Sequence, residues 1–566
     1  MYCEIYPFKR LPRRFDFFDY RVPDGVILKK GDLVRIPFRN QLLFGVVSKT
    51  KDSSSFKRIS DVKEVIESGF LSPASIDRFV HISSLLVQSP ATIFHFAFGD
   101  YRNRKKLPEL RVPEPTGTGG LNHSQIARIK RILDGDSPLQ FIQMSTEEVF
   151  AFCLAISKKP GQTLILCPTA RYTEQLSTFQ LQQSAVLHGK TPPPQREAII
   201  RAWKQGKIST LIGTRLSTLL EPHNLQQVVI CESASDDYRF LDRNPRFDAR
   251  MAAQALAEQY NASCHFTSPF PFVHTYPETQ LNEPAALNLI TLGTEGERTK
   301  TPFLSKQLHL ALKDLPKGKK ALLFFNRKGG AKQLQCHDCG YTVLCGTCHH
   351  IARMRKDDLV CDGCHAEMWV PKSCPSCKGK KLSPRGLGNQ QIKKRFQTIF
   401  PTLKIGIIDK DEQELDADVL IATEYYFKQI WSPFLSKTFG IVAELHFEQQ
   451  LYDDSFHAVE YAGYALHRLL NLAKQQNAEC YVQVWEKDTI HPLLNTKKWL
   501  QDELSMRKRY ELPPYGYQAV IREENAEKPR IVRANRANRE KTLNDLKKLP
   551  DSAIITAESS YTCLTE

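Results

Sequence analysis

The chain has 566 residues, of which 41% are hydrophobic and 25% charged, the composition of an ordinary soluble globular protein and not of a fibrous or disordered one. At about 150 residues per domain, this length predicts about three to five domains. The 78 lysines and arginines exceed the 62 acidic residues and give a formal net charge of +16. Such a surplus favours a polyanionic partner, most simply nucleic acid.

The first seventy residues predict a small β-rich domain. Residues 31–37 and 42–47 are short alternating apolar runs separated by turn residues, a pattern typical of strands. Residues 79–99 form the longest stretch without a charged side chain, but Pro90, two histidines and several hydroxyl side chains interrupt it. We therefore expect a buried pair of helices there and not a membrane span.

A linker and two α/β series follow. Residues 113–120 are rich in proline, glycine and threonine, which predicts a domain boundary. Beyond Leu121, short apolar runs alternate with helical patterns, as the buried strands of parallel sheets require. The strands predicted for the first series are residues 163–167, 209–213 and 228–231, and those predicted for the second series are 321–325, 404–408, 419–422 and 440–443.

A ladder of cysteines interrupts the second series between its first two predicted strands. Eight of the fifteen cysteines form four consecutive Cys-x-x-Cys pairs, namely Cys336/Cys339, Cys345/Cys348, Cys361/Cys364 and Cys374/Cys377. Each pair aims two sulfur atoms at one point and two pairs complete a tetrahedral shell, so the ladder predicts two structural zinc ions with no open position for chemistry. Zinc binding would supply folding free energy to a segment with few large apolar residues.

The alternative to zinc is a disulfide cluster, which needs an oxidising compartment. Met1-Tyr2-Cys3 does not begin a signal peptide, and the other seven cysteines are scattered along the chain. We therefore expect zinc, a reducing compartment and a cytoplasmic location. With enough thiolates present, nearby histidines are expected beside the metal sites or on the surface; they are His337, His349, His350 and His365.

Several motifs, taken together with the cysteines, resemble the PriA family of bacterial replication-restart helicases. The motifs outside the cysteine ladder include Phe18-Asp19-Tyr20, Leu187-His188-Gly189, Gly213-Thr214-Arg215, Pro245-Arg246-Phe247 and Leu512-Pro513-Pro514-Tyr515-Gly516. The likeness runs over most of the chain and implies two RecA-like helicase lobes with the zinc module inserted in the second. It also implies that the outer pairs (Cys336, Cys339, Cys374, Cys377) share one zinc and the inner pairs (Cys345, Cys348, Cys361, Cys364) the other.

The same resemblance suggests residues that contact DNA. In the family, the aspartate of Phe-Asp-Tyr contacts the 3′-hydroxyl of a terminal nucleotide, which makes Asp19 the candidate here, with Phe18 and Tyr20 shaping the pocket. Lys57 is the candidate phosphate partner, and Arg39 replaces a family glycine with a cation that can attract phosphate. The alternative for Asp19 is a turn or capping carboxylate.

Two further basic features are compatible with DNA contact. Thr214 and Arg215 end a predicted strand where lobe-one residues of this class touch the single-strand backbone; the alternative is a buried cap and a surface charge. Near the chain's end, arginines recur every third residue, which on a helix would spread them over half its circumference; they are Arg530, Arg533, Arg536 and Arg539.

The motifs that would serve ATP hydrolysis depart from the family. Residues 141–150 replace the glycine-rich phosphate loop without a glycine or a lysine, and Thr146 and Glu147 stand about where the lysine and the magnesium-binding threonine belong. Cys231 replaces the carboxylate expected to support magnesium, whereas Glu232 keeps the position of the water-activating base. Residues 267–270 stand at the family's coupling motif and do not match it. Residues 469–474 stand at its arginine-bearing motif and lack the arginine that stabilises transition-state charge.

We therefore predict a two-lobe RecA-like α/β protein with a small N-terminal β-rich domain. The predicted segments are residues 1–112 (3′-DNA-binding-like domain), 113–120 (linker), 121–285 (helicase lobe 1), 286–490 (helicase lobe 2, with the zinc insertion at 334–380) and 491–566 (a truncated C-terminal domain). The short interval before Leu121 leaves no room for the family's winged-helix domain.

The predicted function is a replication-restart protein that binds forks, 3′ ends or single strands of DNA without ATP hydrolysis, so that Glu232 is vestigial. The resemblance implies primosome and single-strand-binding proteins as partners. We expect no association with a membrane. Two alternatives stay open at this point: an active ATP-dependent 3′-to-5′ helicase with bound magnesium, and a zinc-dependent protein-interaction scaffold that does not bind DNA.

Overall fold

The structure is a computed structural model that describes residues 1–56, 59–110, 123–134, 139–179, 181, 183–240, 244–273, 279–280, 287–292, 299, 301, 303–325, 334–339, 341, 343–347, 352–355, 358–361, 366–384, 389–430, 438–451, 456–485, 487–523, 529–535 and 537–558. The chain forms two compact units. The first comprises Met1–Ser268, Phe272–Gln280 and Gln501–Glu566, and the second comprises Pro269–Pro271 and Leu281–Leu500. The predicted linker, residues 113–120, lies outside the described residues.

The N-terminal part of the first unit is an antiparallel five-stranded sheet in the order β2-β1-β4-β3-β5. Its strands are β1 (Tyr2–Pro7), β2 (Phe18–Arg21), β3 (Leu33–Phe38), β4 (Gln41–Lys51) and β5 (Glu64–Glu67). Alternate side chains such as Val34, Ile36 and Val47 are fully buried on one face, which is the pattern that predicted these strands. The predicted β-rich domain is confirmed.

Two helices follow this sheet, α1 (Pro73–Leu85) and α2 (Pro90–Phe98). Each begins with a serine followed by a proline, and Ser72 caps α1 by accepting a hydrogen bond from the Ser75 amide. Phe79 and Phe94 pack 5.1 Å apart between the helices, and both are fully buried. The prediction of a buried helix pair over residues 79–99 is therefore confirmed.

The rest of the first unit's core is a seven-stranded parallel sheet in the order β14-β6-β13-β10-β7-β9-β8. The strands are β6 (Leu139–Gln143), β7 (Gln162–Leu166), β8 (Ser184–Leu187), β9 (Thr210–Gly213), β10 (Leu225–Ile230), β13 (Ser263–Ser268) and β14 (Thr279–Gln280), and β11 (Arg239–Phe240) pairs with β12 (Phe247–Asp248) beside them. The helices are α3 (His123–Leu133), α4 (Thr146–Ile156), α5 (Ala170–Ser177), α6 (Pro193–Lys204) and α7 (Ala249–Tyr260). All three strands predicted here are present.

The second unit repeats this topology. Its six-stranded parallel sheet has the order β15-β25-β24-β16-β23-β22. The strands are β15 (Asn288–Thr291), β16 (Lys320–Phe324), β22 (Ile405–Ile408), β23 (Val419–Ala422), β24 (Phe439–Glu444) and β25 (Glu479–Val484), and the helices are α8 (Lys306–Lys313), α9 (Asn389–Ile399), α10 (Ala458–Gln476), α11 (His491–Leu494) and α12 (Thr496–Arg509), the last crossing the unit boundary.

The two parallel sheets match when strands are counted along the chain. The second sheet has the order 1-6-5-2-4-3, and the first has 7-1-6-5-2-4-3, so they differ by one edge strand. Strands such as β22 and β23 are buried at every position, as strands covered on both faces must be. The predicted helicase-like α/β fold with parallel sheets is confirmed.

The cysteine-rich module lies between strands 2 and 3 of the second sheet. It holds β17 (Leu334–Cys336) paired with β21 (Leu382–Pro384), and a three-stranded antiparallel sheet of β18 (Ala352–Arg355), β19 (Asp358–Cys361) and β20 (Glu367–Met368). Its apolar core is small and centres on Leu334, Val343, Ala352 and Leu359. A core of this size agrees with a segment whose folding depends on metal.

The C-terminal part of the chain forms a three-stranded antiparallel sheet of β26 (Tyr517–Arg522), β27 (Arg530–Ala534) and β28 (Ile554–Glu558) with α13 (Arg539–Lys547). The helical interpretation of the arginine repeat is wrong, because Arg530 and Arg533 lie on β27, paired with β26. The buried side chains Tyr517, Ala519 and Ile521 of β26 form the core on which this sheet packs, and pairing with β26 makes residues 530–534 a strand. Arg536 lies outside the described residues.

Within the described residues, no helix combines the length and the apolar character needed to cross a membrane.

Candidate metal centre, DNA-binding surface and nucleotide site

The outer cysteine pairs meet at one point. Cys336 ends β17, and Cys374 and Cys377 lie on a tight turn closed by hydrogen bonds from the Cys374 amide to the Gly379 carbonyl (2.8 Å) and from the Lys378 amide to the Cys374 carbonyl (2.9 Å). The Sγ atoms of Cys336 and Cys377 are 3.6 Å apart, those of Cys339 and Cys374 are also 3.6 Å apart, and all four lie within 4.8 Å of one another.

These distances suit a tetrahedral metal site. Four sulfur atoms about 2.3 Å from a central zinc would be about 3.8 Å apart. Burial alone would raise the pKa of the Cys377 thiol, but hydrogen bonding from the Gly379 backbone and from the neighbouring cysteines holds it below the ordinary value. Burial raises the pKa of the Cys336 and Cys339 thiols. A Cβ on Gly379 would lie 2.3 Å from Oδ2 of Asp338 and 3.2 Å from Sγ of Cys377, so a larger residue there would displace the Asp338 side chain. The cluster can hold a metal ion, and its members are those that the family resemblance implied.

The inner pairs are only partly described. Cys345 and Cys361 are both fully buried, whereas Cys348 and Cys364 lie outside the described residues, as do three of the four nearby histidines. The fourth, His337, places its Nε2 atom 2.7 Å from the Ser383 hydroxyl. This contact agrees with the expectation that the outer metal would be held by sulfur alone.

Asp19 lies in a buried ionic cluster of the N-terminal sheet. It occupies β2 opposite Glu4 of β1, and its side chain is fully enclosed. The Lys51 ammonium, on the last residue of β4, lies 2.8 Å from Asp19 Oδ2 and 3.0 Å from Glu4 Oε1. The Ser54 hydroxyl also donates to Asp19 Oδ2. Asp19 is thus neither a turn residue nor a helix cap.

The second carboxylate oxygen of Asp19, Oδ1, is buried as well and has no hydrogen-bond partner among the described residues. A buried carboxylate oxygen without a donor is costly, and a ligand hydroxyl would satisfy it. Residues 57–58, which follow Ser54 closely in the chain and include the candidate Lys57, lie outside the described residues.

Aromatic side chains and Arg39 surround this part of the sheet. Phe18 packs against Phe38, with ring centroids 5.4 Å apart, and the Tyr20 hydroxyl donates to the Pro37 carbonyl (3.0 Å). Burial raises the pKa of Tyr20 to about 12, so this phenol stays protonated. Arg39 is exposed at φ 53°, in the left-handed region where the family has glycine, so the cation is accommodated at some backbone cost.

Thr214 and Arg215 line a cavity of about 560 Å³ in the first unit. The Arg215 guanidinium lies over three aromatic rings, nearest to Phe240 at 3.8 Å and Phe96 at 4.5 Å from their centroids. The other polar lining residues include Arg10, His95, Asp100, Thr169 and Arg196. Three arginines line this cavity together with Asp100 and Asp237, and the Arg196 guanidinium is paired with the Asp100 carboxylate at 2.8 Å.

Sequence reasoning missed several of these residues. Lys51 and Ser54 contact Asp19 only because β4 and its following turn pair across β1, and this register has no local sequence signal. Arg10 and Thr169 enter the cavity from segments far apart in the chain. The aromatic neighbours of Arg215 are likewise brought together by tertiary structure alone.

The turn at the predicted nucleotide position is closed by the protein's own side chains. Only Met144 and Ser145 separate β6 from α4. Ser145 caps α4, and the Glu148 carboxylate accepts a hydrogen bond from the Ser145 amide (2.9 Å), which completes a capping box. Arg128 donates to Glu148 Oε1 (3.1 Å) and to the Gln143 carbonyl (2.7 Å). The Ser-x-x-Glu pattern was present in the sequence and could have predicted this cap.

The two residues predicted for the second nucleotide motif, Cys231 and Glu232, contact other side chains of the same unit. The Thr146 hydroxyl donates to Glu232, which is buried at φ 50°. Cys231 Sγ lies 3.6 Å from Cys153 Sγ on α4, and burial raises the pKa of the Cys231 thiol well above its ordinary value. A buried neutral thiol is a poor ligand for magnesium, which prefers oxygen.

The residues predicted to stand at the arginine-bearing motif of the second unit are mostly core residues. Leu469, Leu470 and Leu472 on α10 are each 2% exposed. The preceding Arg468 pairs with Glu424 (2.6 Å) and lies 4.0 Å from the centroid of the Phe427 ring. Its contacts are therefore with the lobe's own side chains.

The family comparisons match two separate parts of the chain. A family profile described as the 3'DNA-binding domain (3'BD) of PriA matches residues 10–98, and one described as the helicase conserved C-terminal domain matches residues 146–237. The second match falls on the first parallel sheet, in the segment predicted as lobe 1. The shared strand order of the two sheets gives a physical reason why a profile of one helicase lobe matches the other.

Curated relatives match over more of the chain. The replication restart protein PriA of Haemophilus influenzae is 25% identical over 67% of this chain, which spans 56% of that relative's length. PriA of Rickettsia conorii is 24% identical, with 89% of this chain and 84% of the relative covered. PriA of Helicobacter pylori strain J99 is 23% identical over 86% of this chain and 81% of the relative.

Solved structures match at lower similarity. RecG bound to a three-way DNA junction covers 69% of this chain and 46% of that chain, at 12% identity and a TM-score of 0.33. A DEAD box protein from Methanococcus jannaschii covers 67% of this chain and 90% of that chain, at 11% identity and a TM-score of 0.32. The matching 3′-DNA-binding domain, the match to a helicase domain and the relatives that align over most of its length make this chain similar to the PriA family and support its membership there.

Proposed function

We propose that this chain is a replication-restart protein that binds branched or 3′-ended DNA, holds two structural zinc ions and does not hydrolyse ATP. The names of its curated relatives and the 3′-DNA-binding match support the first part. The functions divide along the predicted boundaries, with DNA ends bound within residues 1–112 and zinc within 334–380. A cytoplasmic location and contacts with primosome and single-strand-binding proteins complete the proposal.

The capping box on α4 carries the proposal that ATP is not hydrolysed. In nucleotide-binding α/β proteins, the amides at the start of this helix bind phosphate. Here the Ser145 amide donates its hydrogen bond to the Glu148 carboxylate in place of a phosphate oxygen. The Arg128 guanidinium neutralises the charge of this carboxylate. A triphosphate would have to displace an internal anion and enter beside its charge.

The second motif supports the same conclusion. Glu232 accepts a hydrogen bond from Thr146, the residue that stands where a phosphate-binding lysine is expected. With a buried thiol at Cys231, the described residues of this motif lack the oxygen ligand that would hold magnesium near Glu232. Without metal or phosphate contacts, Glu232 has no phosphoryl group to act on.

DNA binding rests on the N-terminal domain and on the first unit's cavity. Asp19 Oδ1 is the buried acceptor available to a 3′-hydroxyl, with Lys51 fixing the carboxylate. Arg215 and the cavity's other arginines would contact the strand's phosphates. A net charge of +16 adds long-range attraction.

The deciding experiment measures binding to fork DNA with free or phosphate-blocked 3′-hydroxyl ends, with and without ATP–Mg²⁺. We expect tighter binding to free ends and no effect of ATP. Asp19→Asn should remove most of the preference, because a hydrogen bond to a charged group contributes about 1.5–3 kcal/mol, or about 10- to 150-fold in Kd. The matched control is Asp24→Asn, an exposed carboxylate of the same domain.

Three results would overturn the proposal. Equal affinity for free and blocked ends in the unmodified protein would remove the 3′-end function. DNA-stimulated phosphate release that disappears in Glu232→Gln would establish an active ATPase and with it the helicase alternative. Absence of any salt-dependent fork binding would favour the zinc scaffold.

A further inference from the structure

The cysteine-rich module presents an indole to solvent. Trp369 is 89% exposed, the most exposed of the large hydrophobic side chains in the described part of the chain. Its neighbours Met368 and Val370 are partly buried and pack on the module's small core. Because side chains alternate along an extended segment, this packing turns Trp369 outward and fixes it there. A single exposed apolar side chain is common on protein surfaces, so the meaning of Trp369 depends on the groups beside it.

Lysines follow this tryptophan at short intervals. Residues 366–384 are described without a gap and contain four lysines and one acid, Glu367. The four lysines are all exposed; they are Lys372, Lys378, Lys380 and Lys381. The Lys381 ammonium lies 4.0 Å from Asp338, at the limit of an ion pair.

The backbone keeps Lys372 close to the exposed aromatic. Trp369 and Lys372 are three residues apart, so their Cα atoms are at most about 11 Å from each other. Lys378 lies on the turn of the outer metal cluster at φ 60°, with its amide bonded to the Cys374 carbonyl. The metal-binding turn therefore fixes the backbone from which Lys378, Lys380 and Lys381 extend.

We propose that residues 366–384 form a binding site for single-stranded nucleic acid, separate from the Asp19 pocket. Trp369 stacks on an unpaired base, and the four lysines contact the phosphates on either side. An exposed aromatic beside a basic stretch is the combination that binds single strands without sequence preference. In duplex DNA the bases are stacked on one another, so no base face is accessible for stacking on Trp369.

A competing role for the lysines is to offset the charge of the metal site, since four thiolates around one Zn²⁺ leave a net charge of −2. That role accounts for lysines beside the metal site but not for the exposed indole. The two roles also differ in what they predict, because charge compensation would alter zinc retention and strand binding would not.

The test uses the full zinc-loaded chain and closed circular single-stranded DNA, which has no 3′ end. Trp369→Ala should raise the Kd by about 5- to 150-fold, the effect of losing one stacked base. Trp369→Phe should retain most of the affinity, and zinc content should be unchanged in both. The matched control is Tyr510→Ala, which removes a 55% exposed aromatic elsewhere and should leave the Kd unchanged.

The lysines have their own measurement. Lys380→Gln combined with Lys381→Gln should lower the slope of log Kd against log salt by about 0.7 for each phosphate that the variant no longer binds. A bromodeoxyuridine strand should photocrosslink to the peptide that contains Trp369. Unchanged affinity of the zinc-loaded Trp369→Ala protein for circular DNA would overturn the proposal and favour a protein partner. Because the circle has no end, this outcome is independent of whether Asp19 binds a 3′-hydroxyl.

Discussion

Replacing Glu148 tests the cap that closes the nucleotide position. In Glu148→Ala, the Ser145 amide loses its acceptor and Arg128 loses its ionic partner. The Ser145 hydroxyl still caps the helix, so the loss is that of one hydrogen bond to a partly exposed carboxylate, about 0.5–2 kcal/mol. The ion pair is partly buried, with the two side chains 23% and 15% exposed, and adds about 0.5–1 kcal/mol after allowance for solvent screening. We expect the free energy of opening α4 to fall by about 1–3 kcal/mol.

Glu148→Gln separates the two contributions. Glutamine also completes a capping box but carries no charge, so this variant should lose only the ionic part, about 0.5–1 kcal/mol. The measurement is native-state hydrogen exchange of the amides of α4, which reports local opening in a chain of several domains. Glu174→Ala, which removes a 55% exposed carboxylate on α5, is the control and should change exchange by less than about 0.5 kcal/mol.

The reasoning would be refuted by either of two results. One is that Glu148→Ala exchanges like the Glu174→Ala control, since the cap would then contribute nothing to the helix. The other is that ATP–Mg²⁺ protects α4 in the unmodified protein, since a nucleotide would then bind despite the internal carboxylate.

Three further predictions concern the metal centre, the second lobe and the ionic cluster. Cys339→Ser should lower the zinc content from two ions per chain to one, measured by elemental analysis; retention of two would contradict the outer four-sulfur site. Burial raises the pKa of Glu444 to about 8, so this carboxyl is neutral when folded and ionises only when unfolded between about pH 4.5 and 8. Stability of the second lobe should therefore fall as pH rises through this window, by up to about 1.4 kcal/mol per pH unit, and Glu444→Gln should abolish that slope in denaturant titrations. Lys51→Met should destabilise the N-terminal domain by about 3–5 kcal/mol, because it leaves Asp19 and Glu4 buried without their shared cation; a thermal shift no larger than that of Lys49→Met would contradict this.

The sequence predicted the elements whose burial pattern is local. Strands such as β23 are continuous apolar runs, and their positions agree with the predicted residues to within two. The helix pair after the N-terminal sheet was predictable because prolines and serines mark both starts. The helical interpretation of the arginine repeat is wrong because it rests on a period of three among charged residues, whereas the buried partners of β27 on β26 determine its conformation.

Contacts that depend on register or on tertiary approach could not be predicted. Nothing in residues 41–51 shows that Lys51, and not Lys49, reaches Asp19 at 2.8 Å, because the two lysines lie on the same face of β4 and a two-residue shift in pairing would exchange them. The same holds for Arg215, whose aromatic neighbours come from α2, β11 and β12. The family resemblance identified Asp19 and Arg215 as positions, and only the fold supplies what they touch.

The repeated topology indicates why a binding module is compatible with an altered nucleotide position. Both sheets place the turn after strand 1 and the crossover after strand 2 at the carboxyl ends of parallel strands, the edge where α/β proteins build their sites. In the first sheet, the turn after strand 1 is closed by Ser145 and Glu148. In the second, the crossover after β16 holds the metal module with Trp369 and its lysines. The parallel core that supports both edges consists of buried apolar strands, so either connection can change without loss of the sheet. A chain that retains this core can therefore lose ATP turnover and keep its DNA-binding surfaces.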